Sequence, residues 1–178
     1  HAKYQLARIY LKREKEKLEA GQPAEEEKVR QAITWLTEFA DQGNDFAAYA
    51  LGSLYLEGVL TERDISKAIL YLTQAADQNH VYAQFRLGKL YLTEECQDIT
   101  KAIHYLKLAA NQCNSFAAYR LGRLYLLGEQ VQKDVEQAVR YLLQSADAGN
   151  SYAQYAIGKL YLIGKEIPQD KEKAEIYL

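Results

Sequence analysis

One phrase recurs along the chain, and its recurrence restricts the fold more than any other feature. The copies read AKYQLARIYL, AAYALGSLYLEG, AQFRLGKLYL, AAYRLGRLYLLG and AQYAIGKLYLIG, and they begin at Ala2, Ala47, Ala83, Ala117 and Ala153. The steps between these alanines are 45, 36, 34 and 36 residues. Since this is the period range of two-helix repeat proteins, the sequence predicts an array of helical hairpins.

A second phrase follows each copy of the first and keeps the same rhythm. It reads QAITWLTEFADQGN, KAILYLTQAADQNH, KAIHYLKLAANQCN, QAVRYLLQSADAGN and, in shortened form, KAEIYL. The aromatic residues share this register, since 19 of the 20 Phe, Tyr and Trp residues fall into four columns and only Phe39 does not. The columns are Phe46, Tyr82, Phe116, Tyr152; Tyr4, Tyr49, Phe85, Tyr119, Tyr155; Tyr10, Tyr55, Tyr91, Tyr125, Tyr161; and Trp35, Tyr71, Tyr105, Tyr141, Tyr177. We therefore expect one array of repeats, with approximate bounds 1–45, 46–81, 82–115, 116–151 and 152–178.

Each repeat reads as helix A, a turn, helix B and a second turn. On helix A of the third repeat, apolar residues recur at helical spacing and predict a buried stripe: Ala83, Leu87, Leu90 and Tyr91. An aspartate precedes helix B in four repeats, and its carboxylate is suited to cap the first turn. These aspartates are Asp64, Asp98, Asp134 and Asp170.

The predicted helix ends carry residues that tolerate a left-handed backbone. We expect helix A to end at Gly58, Gly128 and Gly164, and helix B to end at Gly43, Asn79 and Gly149. Cys113 occupies the helix B slot in the third repeat, where we expect backbone strain or a different turn. The first repeat has about nine extra residues, which predict longer helices around a turn at Gly21–Pro23, and the third repeat is two residues short in TEECQD.

A glycine recurs inside the first phrase, although glycine in a helix costs about 1 kcal/mol relative to alanine. It occupies positions 52, 88, 122 and 158, beside the buried stripe, and Ala7 takes its place in the first repeat. We infer that the missing side chain lets helix B approach helix A closely.

Composition and motifs argue against several classes of function. The formal charge of −2 and pI near 6.0 give no basic field for nucleic acid, and no long apolar run predicts a membrane span or signal peptide. We therefore expect a cytoplasmic protein without direct nucleic-acid binding. His80 and His104 lack ligand-spaced partners, and Cys96 and Cys113 lack a disulfide spacing, so we expect no metal, no cofactor and ordinary free thiols. No catalytic motif is present, so we expect this segment not to be an enzyme.

The repeated A-x-Y-x-L-G-x-L-Y, a later Gly, an Asp cap, K-A-x-x-Y-L and A-x-x-G resemble the Sel-one-like repeat family, a relative of the tetratricopeptide repeats. The resemblance covers essentially the whole chain. It implies an all-α, right-handed α/α superhelical solenoid of about five helix-turn-helix repeats that serves as an adaptor or scaffold for a protein or peptide partner. Some relatives of this family are described as penicillin-binding or β-lactamase-like and are rich in paired cysteines, which this chain lacks. An independent hydrolase is therefore the least supported alternative.

The predicted partner-binding residues lie on the side of helix A opposite the buried stripe. Aromatic and cationic residues recur there, and the resemblance to tetratricopeptide arrays implies that this side lines a concave groove. The candidates are Tyr4, Arg8, Tyr49, Phe85, Arg86, Lys89, Tyr119, Arg120, Arg123, Tyr155 and Lys159. This ladder suits a peptide that carries carboxylates and apolar side chains. The alternative is that the rings pack between neighbouring A helices, with the cations as lids over them.

Two further interpretations stay open. The Tyr- and Leu-rich style is similar to the repeat tails of conjugative relaxases of Gram-positive bacteria, in which these repeats would recruit or support a catalytic domain. The chain starts at His1 and contains no methionine, which suggests a piece of a longer polypeptide. The charge run from Lys12 to Arg30 is expected to be an ion-paired, solvated helix extension, with a docking surface as the alternative.

Overall fold

A computed structural model describes residues 2–178, and this part of the chain is entirely helical apart from its turns. Its ten α-helices alternate between the predicted A and B positions. They are α1 (Ala2–Glu19), α2 (Glu26–Asp41), α3 (Asp45–Glu57), α4 (Ile65–Asp77), α5 (Val81–Leu90), α6 (Ile99–Asn111), α7 (Ser115–Leu127), α8 (Val135–Asp147), α9 (Ser151–Ile163) and α10 (Lys171–Tyr177). The predicted fold class, an all-α solenoid of helix-turn-helix repeats, is confirmed.

Two compact units make up the chain, His1–Gln84 and Phe85–Leu178. In each unit, small and aliphatic residues of the buried stripes form the core. In the second unit, Leu142 and Ala146 of α8 pack against Ala153 and Ile157 of α9. All four side chains are 2% exposed or less, so this contact between successive repeats is closely packed.

Each aspartate predicted as a cap does cap a B helix. The carboxylates of Asp64, Asp98, Asp134 and Asp170 accept hydrogen bonds from the backbone N–H three residues later, at 2.9–3.0 Å. The A helices α3, α7 and α9 are capped in the same way by Asn44, Asn114 and Asn150. These bonds satisfy amides that the helix itself leaves without partners.

The turns that end the A and B helices use the left-handed backbone as predicted. Gly58, Gly128 and Gly164 end α3, α7 and α9 with φ of 64–68°. After α6, Cys113 has φ 62°, and its N–H bonds the carbonyl of Ala110. Asn79 makes the equivalent bond to Ala76 in the second repeat, with φ 63°. The third repeat therefore keeps the common turn and places a β-carbon-bearing residue in a backbone region that favours glycine.

The recurring glycine inside helix A lies against a leucine of helix B. A β-carbon built on Gly122 would lie 2.7 Å from Cγ of Leu142 and 3.1 Å from its backbone nitrogen. Gly52 and Gly88 meet Leu72 and Leu106 in the same way. The predicted close approach is confirmed, because no β-carbon fits at these distances.

The first and third repeats depart from the pattern as their lengths predict. The helices α1 and α2 have 18 and 16 residues, against 13 in the regular ones. In the third repeat, α5 has only 10 residues, and a 3-10 turn at Glu94–Cys96 leads to α6.

The charged residues from Lys12 to Arg30 in the first repeat also link α1 to the start of α2. Glu14 is only 1% exposed, and its carboxylate accepts a hydrogen bond of 2.7 Å from the backbone N–H of Glu25, where α2 begins. Lys17 bonds both Glu14 and Glu25, and Lys28 bonds Glu25. The predicted ion pairs are present, but the burial of Glu14 was not predicted.

Candidate partner-binding surface

The second unit brings several predicted binding residues together on three A helices. Phe85 and Lys89 of α5, Tyr119 and Arg120 of α7, and two further rings line one open cavity of about 410 Å³. The further rings are Phe116 of α7 and Tyr152 of α9. We call the seven residues Phe85, Lys89, Phe116, Tyr119, Arg120, Arg123 and Tyr152 the α5–α7–α9 surface.

A second cavity adjoins the first and extends this surface along α7. It has a volume of about 340 Å³ and shares Tyr119 and Arg120 with the first cavity. Arg123 adds a cation here, Leu124 and Leu127 add apolar area, and Glu129 adds an acidic group. Five of the predicted residues therefore line two adjoining cavities.

The rings of the α5–α7–α9 surface contact one another in pairs. The ring centroids of Phe85 and Phe116 are 6.2 Å apart, and those of Tyr119 and Tyr152 are 6.0 Å apart. Phe116 and Tyr152 remain 55% and 65% exposed despite these contacts. Large exposed rings that share a cavity are typical of interaction surfaces rather than of a protein core.

The predicted cation lids are present on three of the aromatic residues. Lys89 lies 5.6 Å from the ring centroid of Phe85, and Lys159 lies 5.5 Å from that of Tyr155. Arg8 lies 5.9 Å from that of Tyr4 in the first unit. The packing alternative thus describes part of the ladder.

Lys89 has a lowered pKa in this surface. Its partial burial, together with the positive charges of Arg120 and Arg86, lowers the pKa of its ammonium group. Arg120 and Arg86 are thus both close enough to Lys89 to repel its positive charge.

The predicted residues of the first unit lie in tighter packing. Tyr4 meets the edge of Phe39 at 6.0 Å, and Tyr49 stacks on His80 with ring centroids 4.5 Å apart. His80 is 7% exposed, and its Nδ1 accepts a hydrogen bond from the N–H of Ala83 at the start of α5. Burial lowers the pKa of His80, which favours the neutral ring that this bond requires. His80 is therefore a capping histidine at the start of α5.

The two outermost candidates of the second unit lie apart from the shared cavities. Tyr155 is 60% exposed and pairs with Lys159, but neither lines the cavities described above. Sequence reasoning did not assign Phe116 and Tyr152 to the site, although it found their aromatic column. Their position directly before the small buried alanine of helix A is the signal that marks them as exposed.

Sequence reasoning also missed a second series of cation–ring contacts, between the two helices of a repeat. Lys67, Lys101 and Lys173 lie 5.0–5.3 Å from the ring centroids of Tyr55, Tyr91 and Tyr161. Each lysine also pairs with the capping aspartate three residues before it, at 3.2–3.5 Å. The spacing D-x-x-K marks these contacts in the sequence, and they stabilise the repeat rather than form a site.

Residues 2–178 contain no cluster of three potential metal-ligating His, Cys, Asp or Glu side chains. Cys96 and Cys113 are both free. No helix among these residues is both long and apolar enough to cross a bilayer.

The hairpin repeats and the open surface define a helical-repeat protein of the scaffold class. The chain belongs to the Sel1 repeat family, whose repeat matches residues 1–44, 45–80, 81–112, 115–150 and 151–178. Sel1 repeat proteins are generally protein-interaction scaffolds, and the fold is generally not enzymatic. Comparison with curated proteins gave no significant match.

Several solved structures resemble this chain in fold, over 65–99% of its length. A Sel1 repeat protein from Oxalobacter formigenes is 29% identical, with a TM-score of 0.78 over 98% of this chain and 69% of its own. A protective antigen present in uropathogenic Escherichia coli strains is 28% identical, with a TM-score of 0.76 over 99% of this chain and 36% of its own. Helicobacter pylori cysteine-rich protein B is 22% identical over 65% of this chain and 84% of its own, with a TM-score of 0.51, and shares the fold.

Proposed function

We propose that this chain is a protein-interaction module that binds a segment of a partner protein through the exposed surface of its A helices. The observation that carries the proposal is the convergence of four rings and two cations on one open cavity of about 410 Å³ in the second unit. Pockets of this size that combine apolar walls with a few polar groups are typical binding sites.

The predicted residues divide into two roles under this proposal. Those of the α5–α7–α9 surface contact the partner, together with Arg86, Tyr155 and Lys159 beside them. In the first unit, Tyr4 and Tyr49 contact Phe39 and His80, so these rings support the A helices of that unit. Arg8, which lies over the Tyr4 ring, is exposed.

The test is the loss of partner binding when the exposed rings are removed. A partner is first isolated on the immobilised 178-residue chain, identified by mass spectrometry and purified. Its affinity is then measured for the parent and for a Phe116→Ala, Tyr152→Ala double variant, which should bind at least about 10-fold more weakly because aromatic rings dominate interface energetics. Both rings are more than half exposed, so their removal leaves the core intact.

The matched control is Leu70→Ala. Leu70 is a large apolar residue of α4 that is 63% exposed and lines neither cavity. The Leu70→Ala variant should bind the partner with the affinity of the parent. Equal binding of the parent and the double variant would remove this surface from the function.

A further inference from the structure

Three lysines of the second unit form ion pairs, whereas the cations of the α5–α7–α9 surface form none in the described part of the chain. Lys101, Lys133 and Lys173 pair with Asp98, Glu166 and Asp170 at 2.8–3.3 Å. Within residues 2–178, Lys89, Arg120 and Arg123 form no such ion pair. Lys89 and Arg120 line the ring-lined cavity, and no acidic side chain of residues 2–178 is among its lining residues.

Lys89 and Arg120 are also close to each other. Partial burial, together with the positive charges of Arg120 and Arg86, disfavours the charged form of Lys89. Holding like charges together is unfavourable unless an anion neutralises them. The side chains are therefore arranged as a receptor for negative charge, and guanidinium groups are well suited to bind carboxylates with two parallel hydrogen bonds.

The walls around these cations are aromatic, which sets the second requirement on a ligand. Phe85, Phe116, Tyr119 and Tyr152 line the same cavity as Lys89 and Arg120. A ligand that fills this cavity gains by burying an apolar side chain against the rings. Glu129 lies in the adjoining cavity, so negative charge is favoured on the Lys89 side and opposed beyond Arg123.

We propose that the α5–α7–α9 surface selects an acidic segment of a partner protein in which an aspartate or glutamate lies next to an aromatic or large aliphatic residue. The carboxylate lies between Lys89 and Arg120, and the neighbouring apolar side chain occupies the ring-lined cavity. This inference rests on the proposed function and adds the chemistry of the partner. Rings and cations also serve single-stranded nucleic acids, but a continuous phosphate backbone would have to pass Glu129.

Selection from a random peptide library on the intact 178-residue chain tests this chemistry. Aspartate or glutamate next to Phe, Tyr, Trp, Leu or Ile should be enriched in the selected peptides. The affinity of one labelled selected peptide is then compared with the affinities of two altered versions. One version carries amides in place of the carboxylates, and the other carries alanine in place of the apolar residue. Each change should weaken binding by about 10-fold, and about 0.5 M NaCl should weaken binding of the acidic peptide more than that of its amide version.

Charge reversal on the protein provides the matched comparison. An Arg120→Glu, Arg123→Glu double variant should bind the acidic peptide at least about 10-fold more weakly, because it replaces attraction by repulsion. A Lys107→Glu, Lys165→Glu double variant changes the net charge equally at exposed positions outside both cavities and should bind as the parent. Circular dichroism establishes that both variants are folded.

Three results would overturn the proposal. They are selected peptides without acidic enrichment, equal binding of the acidic peptide by the Arg120 and Arg123 variant, and tighter binding of a thymidine oligonucleotide of about 12 nucleotides than of the acidic peptide. If such a result accompanied loss of partner binding in the Phe116 and Tyr152 variant, the proposed function would stand and the acidic chemistry would be wrong.

Discussion

At the scale of single residues, a glycine inside helix A allows close packing of the two helices in four of the five hairpins. Alanine at Gly122 would favour the helix by about 1 kcal/mol. Its β-carbon, however, would lie 2.7 Å from Cγ and 3.1 Å from the backbone nitrogen of Leu142. Since the backbone of α8 cannot yield as a flexible side chain does, the steric cost exceeds the gain in propensity.

We predict that Gly122→Ala destabilises the protein by about 1–3 kcal/mol, which is the usual cost of inserting a methyl group into a closely packed contact. The free energy of unfolding is measured by urea titration of the parent and the variant. Circular dichroism at each urea concentration reports on the helices directly.

Gly158→Ala is the matched control for this substitution. Its β-carbon would meet Cγ of Leu178 at 2.7 Å and Cβ of Tyr177 at 3.3 Å. Leu178 is the last residue of the 178-residue chain and is 60% exposed, so it can move aside and the cost should be smaller. A Gly122→Ala variant as stable as the parent would contradict the steric interpretation.

At the scale of helices, α2 differs from the other B helices of residues 2–178. No aspartate precedes it, and its cap could not be predicted from the sequence. Glu25 at its N-terminus makes no capping bond with its side chain. Glu14, eleven residues earlier, accepts the N–H of Glu25 instead, and Lys17 links both carboxylates. The sequence shows Glu14 as one acid among many in a charge run, and only the fold of the turn at Gly21 brings it to α2.

This cluster predicts an acid-dependent loss of stability. Hydrogen bonds from Lys17 and Lys28 lower the pKa of Glu25 from 4.5 to about 2, and the bond from the Glu25 N–H lowers the pKa of Glu14. Carboxylates with lowered pKa values stabilise the folded state above the unfolded pKa, and this contribution is lost as the pH falls through the folded value. The contribution of Glu25 should thus be complete above about pH 4.5 and disappear towards pH 2.

The measurement is the thermal unfolding of the parent and Glu25→Gln across this pH range. The variant should have a lower Tm than the parent near pH 7, and the difference should shrink as the pH falls from about 4.5 towards 2. Glu26→Gln is the control, since Glu26 occupies the same first turn without a lysine partner among the described residues. A Tm difference for Glu25→Gln that stays constant with pH would show that the cluster does not act through charge.

At the scale of the whole chain, the repeat period made the helices predictable from the sequence. The binding surface could be predicted only in part. The columns of small, aliphatic and capping residues repeat because the hairpins within each unit pack alike, so the order of the helices and the aspartate caps of the B helices followed from the sequence. Which cations lack partners depends on contacts in space. Lys101 has Asp98 three residues away, whereas Lys133 pairs with Glu166 from another repeat. Arg120 and Arg123 differ from Lys133 in this respect only once the helices are packed.

The same periodicity predicts that one whole repeat can be removed from the second unit. Deleting residues 116–151 joins Ser115 to Tyr152, which preserves the Ser-aromatic-Ala sequence at the start of helix A. Leu106 and Ala110 of α6 would then meet Ala153 and Ile157, as Leu142 and Ala146 do now. We expect a folded chain with the helicity per residue of the parent, a single urea transition and a lower stability, because the stability of a repeat protein is approximately a sum over repeats and their nearest neighbours. The urea m-value should also fall, since less surface is exposed on unfolding.

Deleting residues 134–151 is the control, because it removes half a repeat and breaks the register. It would place the A helix α9 where α8 now packs on Gly122, without the aspartate that caps α8. This shorter deletion should lower the helicity per residue and abolish a sharp transition in the second unit, although it removes fewer residues. Equal stability of the two deletions, or an unfolded chain after removal of the whole repeat, would mean that contacts specific to one repeat, rather than the shared columns, hold these hairpins together.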